Sequence, residues 1–295
     1  MAVTPLRLLL EGLEAAPACL VTVESTQGSA PREPGAWMAV FADRTVGTIG
    51  GGHLELQAID EARQRLRGAE GPPQRRYALG PSLGQCCGGV VFLGFQVVGG
   101  ADLAVGSVLR ARLVPPRHPV ALFGGGHVGH ALVRVLAPLP FALTWVDSRD
   151  GIFPRSVPEG VQCEHSDPVQ AAVPDLVPGT RVLVMSFSHA EDLDIVAACL
   201  RRQRERGDLP FIGLIGSKTK WATFSHRLRE RGFAPDELAR ITCPIGVPGI
   251  PGKEPEVIAV AVAAQLLQSL GTGAWGAAPG GGGPLPRSAA PGLSG

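Results

Sequence analysis

From residue 4 to about 16 the segment TPLRLLLEGLEAA spaces its leucines for one face of a helix, behind Thr4, whose hydroxyl suits a helix cap. CLVTVES then reads as a strand. The loop TQGSAPREPG, dense in Gly, Pro and Ser, leads into AWMAVFA, a short turn at DRT and VGTIG, which together predict a hairpin. Gly50, Gly51 and Gly52 open a helix over HLELQAIDEARQRLRG. RRYALG, the loop PSLGQCC and the apolar run GGVVFLGFQVV complete an α+β unit that ends near residue 114.

Three prolines in VPPRHP, residues 114–119, interrupt any regular element and mark a boundary. Beyond it the periods alternate. PVALF, FALTWVD, RVLVMSF and FIGLIG read as buried strands; HALVRVLA, DLDIVAACLRRQRERG and TKWATFSHRLRERG read as the helices between and after them. Such alternation implies parallel pairing with right-handed crossovers. A last helix runs from Pro255 to about Leu270. The fold class is therefore α/β: an N-terminal α+β domain, residues 1–114, then a Rossmann-like doubly wound domain, residues 119–270. Residues 271–295 hold 9 Gly and 4 Pro and little to bury, so a disordered tail is expected there.

Charge narrows the partners. With 27 basic against 26 acidic side chains the chain has no broad field to attract nucleic acid or an acidic membrane surface. A small ligand or a protein partner is expected instead. Glu11 and Glu14 break the N-terminal apolar stretch, unlike a signal peptide, and VIAVAVAAQLL falls well short of the roughly 20 residues of a membrane span. The reading is cytoplasmic. Cysteines 19, 86, 87, 163, 199 and 243 form no CxxC, so reduced thiols are expected.

Gly124, Gly126 and Gly129 form G-x-G-x-x-G between a strand and a helix, and Asp147 ends the next strand 18 positions after Gly129. That spacing lets backbone approach a phosphate and puts a carboxylate near a ribose, making a nucleotide a candidate ligand. Gly51 and Gly52, and the segment IGSKTKW with Ser217, Lys218 and Lys220, repeat the anion-ready arrangement; a plain tight turn and solvated lysines are the structural alternative. Arg32 offers a planar fork matched to phosphate, or is an exposed turn arginine. His127 and His130 enter the first turn of the Rossmann helix and His189 follows the third predicted strand, all three suited to ligand contact or helix-entry hydrogen bonds rather than to zinc.

Cys86 and Cys87 adjoin Gly88 and Gly89. Neighbouring side chains on an extended chain point apart, so both thiols reach one ligand only through a sharp turn, which the glycines permit. Glycine N–H groups beside a sulfur favour the thiolate, a ligand for soft metals, and Cys87 is the stronger candidate. The alternative is a small buried hydrophobe at a strand entry. Cys19, Cys163 and Cys199 read as structural; Cys243, in CPIG, is open.

Taken together, GSAPREPG, TIGGGHLE, GPSLGQCCGG, ALFGGGHVG, FIGLIGSKTK and CPIGVPGIPGKEPEVIAVAVAAQLL resemble the xanthine dehydrogenase accessory proteins, the XdhC/CoxI group, over about residues 5–270. The resemblance implies a chaperone that binds the molybdenum cofactor and protects it while a cysteine desulfurase installs its terminal sulfur. It then inserts the cofactor into apo-xanthine dehydrogenase or a related molybdenum hydroxylase. On this reading Cys87 is a candidate molybdenum ligand, the pterin phosphate meets a glycine-opened helix, and a partly open cleft and a homo-oligomer are expected. Two other classes stand beside it. One is an NAD(P)-dependent oxidoreductase built on Gly124 to Asp147 with Cys87 or His189 near the substrate, disfavoured because no acid/base pair beside a carbonyl-binding arginine is evident. The other is a non-catalytic partner-binding module.

Overall fold

The computed structural model describes residues 4–79, 88–100, 102, 109, 113 and 117–271. The expected tail, beyond residue 271, and the cysteine doublet lie outside the described residues. The chain divides into two compact units, Ala2–Val114 and Pro115–Gly271.

The first unit comprises α1 (Pro5–Leu13), β1 (Ala18–Gln27), β2 (Trp37–Val40), β3 (Thr45–Gly47), α2 (Gly52–Leu66), β4 (Gln74–Ala78) and β5 (Val90–Val98). Its antiparallel sheet has the order β3-β2-β1-β5-β4. The period of two on β1 sends Cys19, Val21 and Val23 into a core with Leu54, Ala58 and Ala62 of α2, and Ala18 and Leu20 into a second core with Leu9 and Leu13 of α1. Thr4 caps α1, its Oγ1 accepting from the Arg7 N–H at 3.3 Å.

The second unit runs β6 (His118–Phe123), α3 (His127–Leu136), β7 (Phe141–Asp147), β8 (Val161–His165), a short 3-10 helix (Val169–Asp175), β9 (Arg181–Val184) and α4 (His189–Arg206). It continues through β10 (Phe211–Leu214), α5 (Lys218–Glu230), α6 (Pro235–Leu238), β11 (Ile241–Thr242) and α7 (Pro255–Gln268). All pairings are parallel and the order is β11-β10-β9-β6-β7-β8, so the direction of winding reverses between β6 and β9. Strands β6, β7, β9 and β10 are mostly buried, as a doubly covered parallel sheet requires, with Trp145, Phe123 and Phe141 among its fully buried side chains. No described helix is long and apolar enough to cross a membrane.

Four pieces escape the apolar pattern: β8, the 3-10 helix, α6 and β11. After Val161, β8 exposes every side chain at the sheet edge, and β11 has only two residues, so neither writes a hydrophobic run. Helix α3 starts at His127, three residues before the start expected at His130, because the loop turns wholly within Gly124–Gly126.

Candidate functional site

At the carboxyl edge of the parallel sheet, Gly124 takes φ +127° and a Cβ there would collide with the Met185 carbonyl oxygen. Only glycine fits so close an approach of β6 to β9. A Cβ at Gly129 would strike the Gly124 carbonyl oxygen, so the third glycine lets α3 pack against its own loop. Gly126 differs: φ is −80°, nothing lies near its absent side chain, and it caps α3 with no side-chain hydrogen bond. The three glycines therefore have three separate causes.

Asp147, 2% exposed, ends β7 under this loop. Its Oδ1 accepts from Arg149 N and Nε, both at 2.9 Å; its Oδ2 accepts from Gly125 N at 2.6 Å and Arg149 Nη2 at 2.9 Å. Those four bonds fill the acceptor capacity of a carboxylate. Burial pushes the Asp147 pKa up, but the bonds from Arg149 and Gly125 outweigh it and hold the group below its ordinary value. The guanidinium of Arg149 lies 4.8 Å from the ring centre of Phe187, which is 68% exposed in the loop after β9. Ser148 Oγ donates to Glu191 Oε1 at 2.6 Å, a second link from the β7 loop to the first turn of α4.

Ser188 and Ser217 cap α4 and α5 by accepting from Glu191 N and Lys220 N, both at 3.2 Å. Lys218 and His127 are exposed, and exposed His189 sets its ring edge-on to Phe224 at 6.1 Å. Lys220 departs from the solvated alternative: its Nζ donates to buried Asp192 Oδ2 at 2.6 Å and to the Ile215 carbonyl at 2.8 Å. Ser186 donates both N–H and O–H to Asp192 Oδ1, at 2.8 and 2.7 Å, so this pair ties the β9 and β10 loops together.

In the first unit the glycine triplet meets a carboxylate of its own helix. Glu55 Oε2 accepts from Thr48 Oγ1 at 2.5 Å, Ile49 N at 2.9 Å and Gly51 N at 3.0 Å. The N–H of Gly51, expected to face a phosphate, faces Glu55 instead, as does that of Ile49; Gly52 begins α2 and is exposed. Burial raises the Glu55 pKa, and the Thr48 and backbone bonds more than reverse it, leaving a net lowering. Exposed Arg32 follows Pro31, and a Cβ at Gly50 would collide with Pro31 and press on Arg32. From the other side of the same loop, Ser29 and Gln27 present carbonyls to Gly89, whose own carbonyl accepts from Leu79 N at 2.8 Å. The β1–β2 loop thus meets Gly50 through Pro31 and Arg32, and Gly89 through Gln27 and Ser29.

Cys19 and Cys199 are buried, and burial pushes their thiols up to about 11 and about 12, in keeping with structural roles. Cys163 is a correction: expected to be structural, it is exposed on β8. Cys243 is half-buried, and burial raises its pKa more than nearby Lys220 lowers it. Among the described residues no cluster of three His, Cys, Asp or Glu side chains is placed to hold a metal. Two surface depressions, of about 280 and 210 Å³, are lined by Gln203, Arg204 and Glu237 and by Thr144, Gln162 and Thr180, not by the glycine loops.

Glu55, Arg149, Phe187 and Asp192 were not singled out in the sequence. Three left a signal: Glu55 and Asp192 are acids in the first turn of a helix, and Arg149 stands two residues after the strand-ending Asp147. An exposed phenylalanine leaves none.

Comparison with known proteins agrees with this architecture. Residues 120–266 match the XdhC Rossmann domain, and residues 13–78 match the XdhC and CoxI family. The uncharacterized protein YqeB of Escherichia coli (strain K12) is 30% identical over 261 residues, covering 85% of this chain; the chain spans 43% of that protein's length. A crystal structure described as a xanthine dehydrogenase from Bacillus halodurans superposes with a TM-score of 0.70 at 21% identity, covering 90% of this chain and 96% of that one, a likeness of fold. With both units matched, each at the residues that build its glycine loop, the chain belongs to the XdhC and CoxI family.

Proposed function

We propose that this chain, a member of a family with an accessory role in xanthine dehydrogenase maturation, carries the molybdenum cofactor as cargo. It shields the cofactor during sulfuration by a cysteine desulfurase and passes it to the apo-dehydrogenase or a related molybdenum hydroxylase. The observation that carries this reading is the convergence on the β1–β2 loop: Arg32 beside Gly50, and Gly89 beside Ser29. Through it, Arg32, whose guanidinium is suited to a phosphate, and Gly89, two residues after Cys87 in the sequence, are both tied to one loop. Molybdenum in a dithiolene is a soft centre that accepts a thiolate, and Cys87 is the proposed ligand, with Cys86 beside it.

The described residues fit this cargo in part. Arg32 is exposed and can meet the pterin phosphate, whereas the N–H groups of Ile49 and Gly51 are committed to Glu55. The phosphate contact is therefore assigned to Arg32 and not to the nest under Glu55.

The test is purification from a cofactor-producing host, with molybdenum analysis and a spectrum of the released pterin. Wild-type protein is expected to retain cofactor, Cys87→Ala to lose most of it with an unchanged circular dichroism spectrum, and Arg32→Ala to lose an intermediate share. Retention by Cys87→Ala equal to wild type removes the proposed ligand. Absence of pterin from wild-type protein removes the function.

A further inference from the structure

A Rossmann sheet implies a dinucleotide whose ribose hydroxyls bind the acid ending the second strand and whose pyrophosphate lies on the first glycine loop. Here that acid is Asp147, and its four acceptor positions are taken by Arg149 and Gly125. A ribose diol would have to displace a guanidinium bound through two N–H groups, and the N–H of Gly125 is turned to Asp147 rather than outward. Strand β6 lies between β7 and β9, so any contact from the β7 loop to the β9 loop passes over the end of β6. Among the described residues the Arg149 stack on Phe187 is such a contact, and the Ser148 bond to Glu191 reaches just beyond that loop, to the first turn of α4. Below them, a Cβ at Gly125 would meet the side chain of Ile152, which already covers the loop from the β7 side.

We propose that these side chains form a strap that closes the crevice over β6, so that the Rossmann unit excludes dinucleotides and serves as a scaffold. The strap joins the β7 loop to the β9 loop and the start of α4, which a dinucleotide would have to part. Arg149 is its central piece, held at one end by a buried carboxylate and stacked at the other on an aromatic ring, with its side chain 33% exposed. Ligand entry would cost the paired carboxylate its partner and leave Asp147 buried without it. The glycine pattern then persists for packing, as Gly124 and Gly129 require, and not for phosphate.

Calorimetric titration of the full chain with NAD+, NADH and NADP+ tests the exclusion. Wild type is expected to show no saturable binding up to about 1 mM. The double variant Arg149→Ala/Phe187→Ala frees the crevice while leaving the glycine loop intact. It is expected to bind at least one of these dinucleotides at least about tenfold more tightly than wild type. Ser148→Ala, a milder change that releases only the second link, is expected to move in the same direction by a smaller factor. Saturable wild-type binding below about 100 µM that Gly126→Val abolishes would overturn the proposal. So would a folded double variant, checked by circular dichroism, that still binds none of the three. These outcomes are independent of cofactor retention at Cys87, so either proposal can fail alone.

Discussion

Both units open a helix with a glycine run, and in both an internal carboxylate receives the loop N–H groups, but the two carboxylates come from different places. Glu55 lies in the first turn of the helix that the loop opens, four residues after Gly51, and closes a local circuit with Thr48. Asp147 comes from the neighbouring strand, reaches the loop across 22 residues of sequence, and is itself clamped by Arg149. A local circuit can form with its helix, as a cap does. The tertiary circuit forms only once β6 and β7 are paired, and it is buried, so breaking it strands both a carboxylate's partners and the loop. The same glycine signature therefore serves local capping in one unit and tertiary closure in the other.

The largest effect is expected at Gly124→Ala. Left-handed backbone costs about 1–3 kcal/mol and overpacking against the Met185 carbonyl about 1–3 more, so a loss near 4 kcal/mol in urea unfolding is expected. Asp147→Ala follows at about 3 kcal/mol, because Gly125 N–H and the Arg149 guanidinium lose their acceptor. Glu55→Ala, which removes only a local cap, should cost about 1–2 kcal/mol. A Glu55→Ala loss as large as that of Asp147→Ala would erase the distinction between the two circuits. Gly126→Ala, at a position with open space and ordinary backbone, should cost less than about 1 kcal/mol.

Acid sharpens the contrast further. Both carboxylates have folded pKa values below the ordinary 3.8 of Asp and 4.5 of Glu, through the hydrogen bonds that outweigh burial. Depressed folded values mean that the stabilisation is complete above about pH 4.5 and is lost as pH falls through the folded pKa values. Urea midpoints measured down this acid limb should therefore fall for wild type. They should fall less for Asp147→Asn, which has no proton to gain there, and Glu55→Gln should show the smaller flattening of the two.

Sequence alone discloses the parts of this architecture that bury an apolar face. Thr4 as a cap, the alternation on β1, and the strand–glycine–helix–strand–acid succession from β6 to Asp147 are all written in residue type and spacing. Edge elements are not, because β8 faces solvent on both sides and carries Gln162, Cys163 and Glu164 where a core strand carries branched apolar residues. The same edge position leaves Cys163 exposed, unlike buried Cys19 and Cys199. For the candidate site, sequence marks Gly50, Gly51, Gly124, Gly126 and Asp147, but not which acid fills which loop, since a hydrogen bond from Gly125 to Asp147 depends on strand order. The lysines teach the same lesson: Lys218 and Lys220 are two residues apart, yet one is exposed and the other meets buried Asp192.

Trp145 gives the second unit an optical gauge of its own glycine loop. Its indole N–H donates to the Gly124 carbonyl at 2.9 Å, it is fully buried, and His130 and Phe153 stand edge-on to it at 4.8 and 5.2 Å. In a chain with Trp37, Trp221 and Trp275 replaced by phenylalanine, its emission would report loosening at Gly124 as a red shift, without any label attached to the protein.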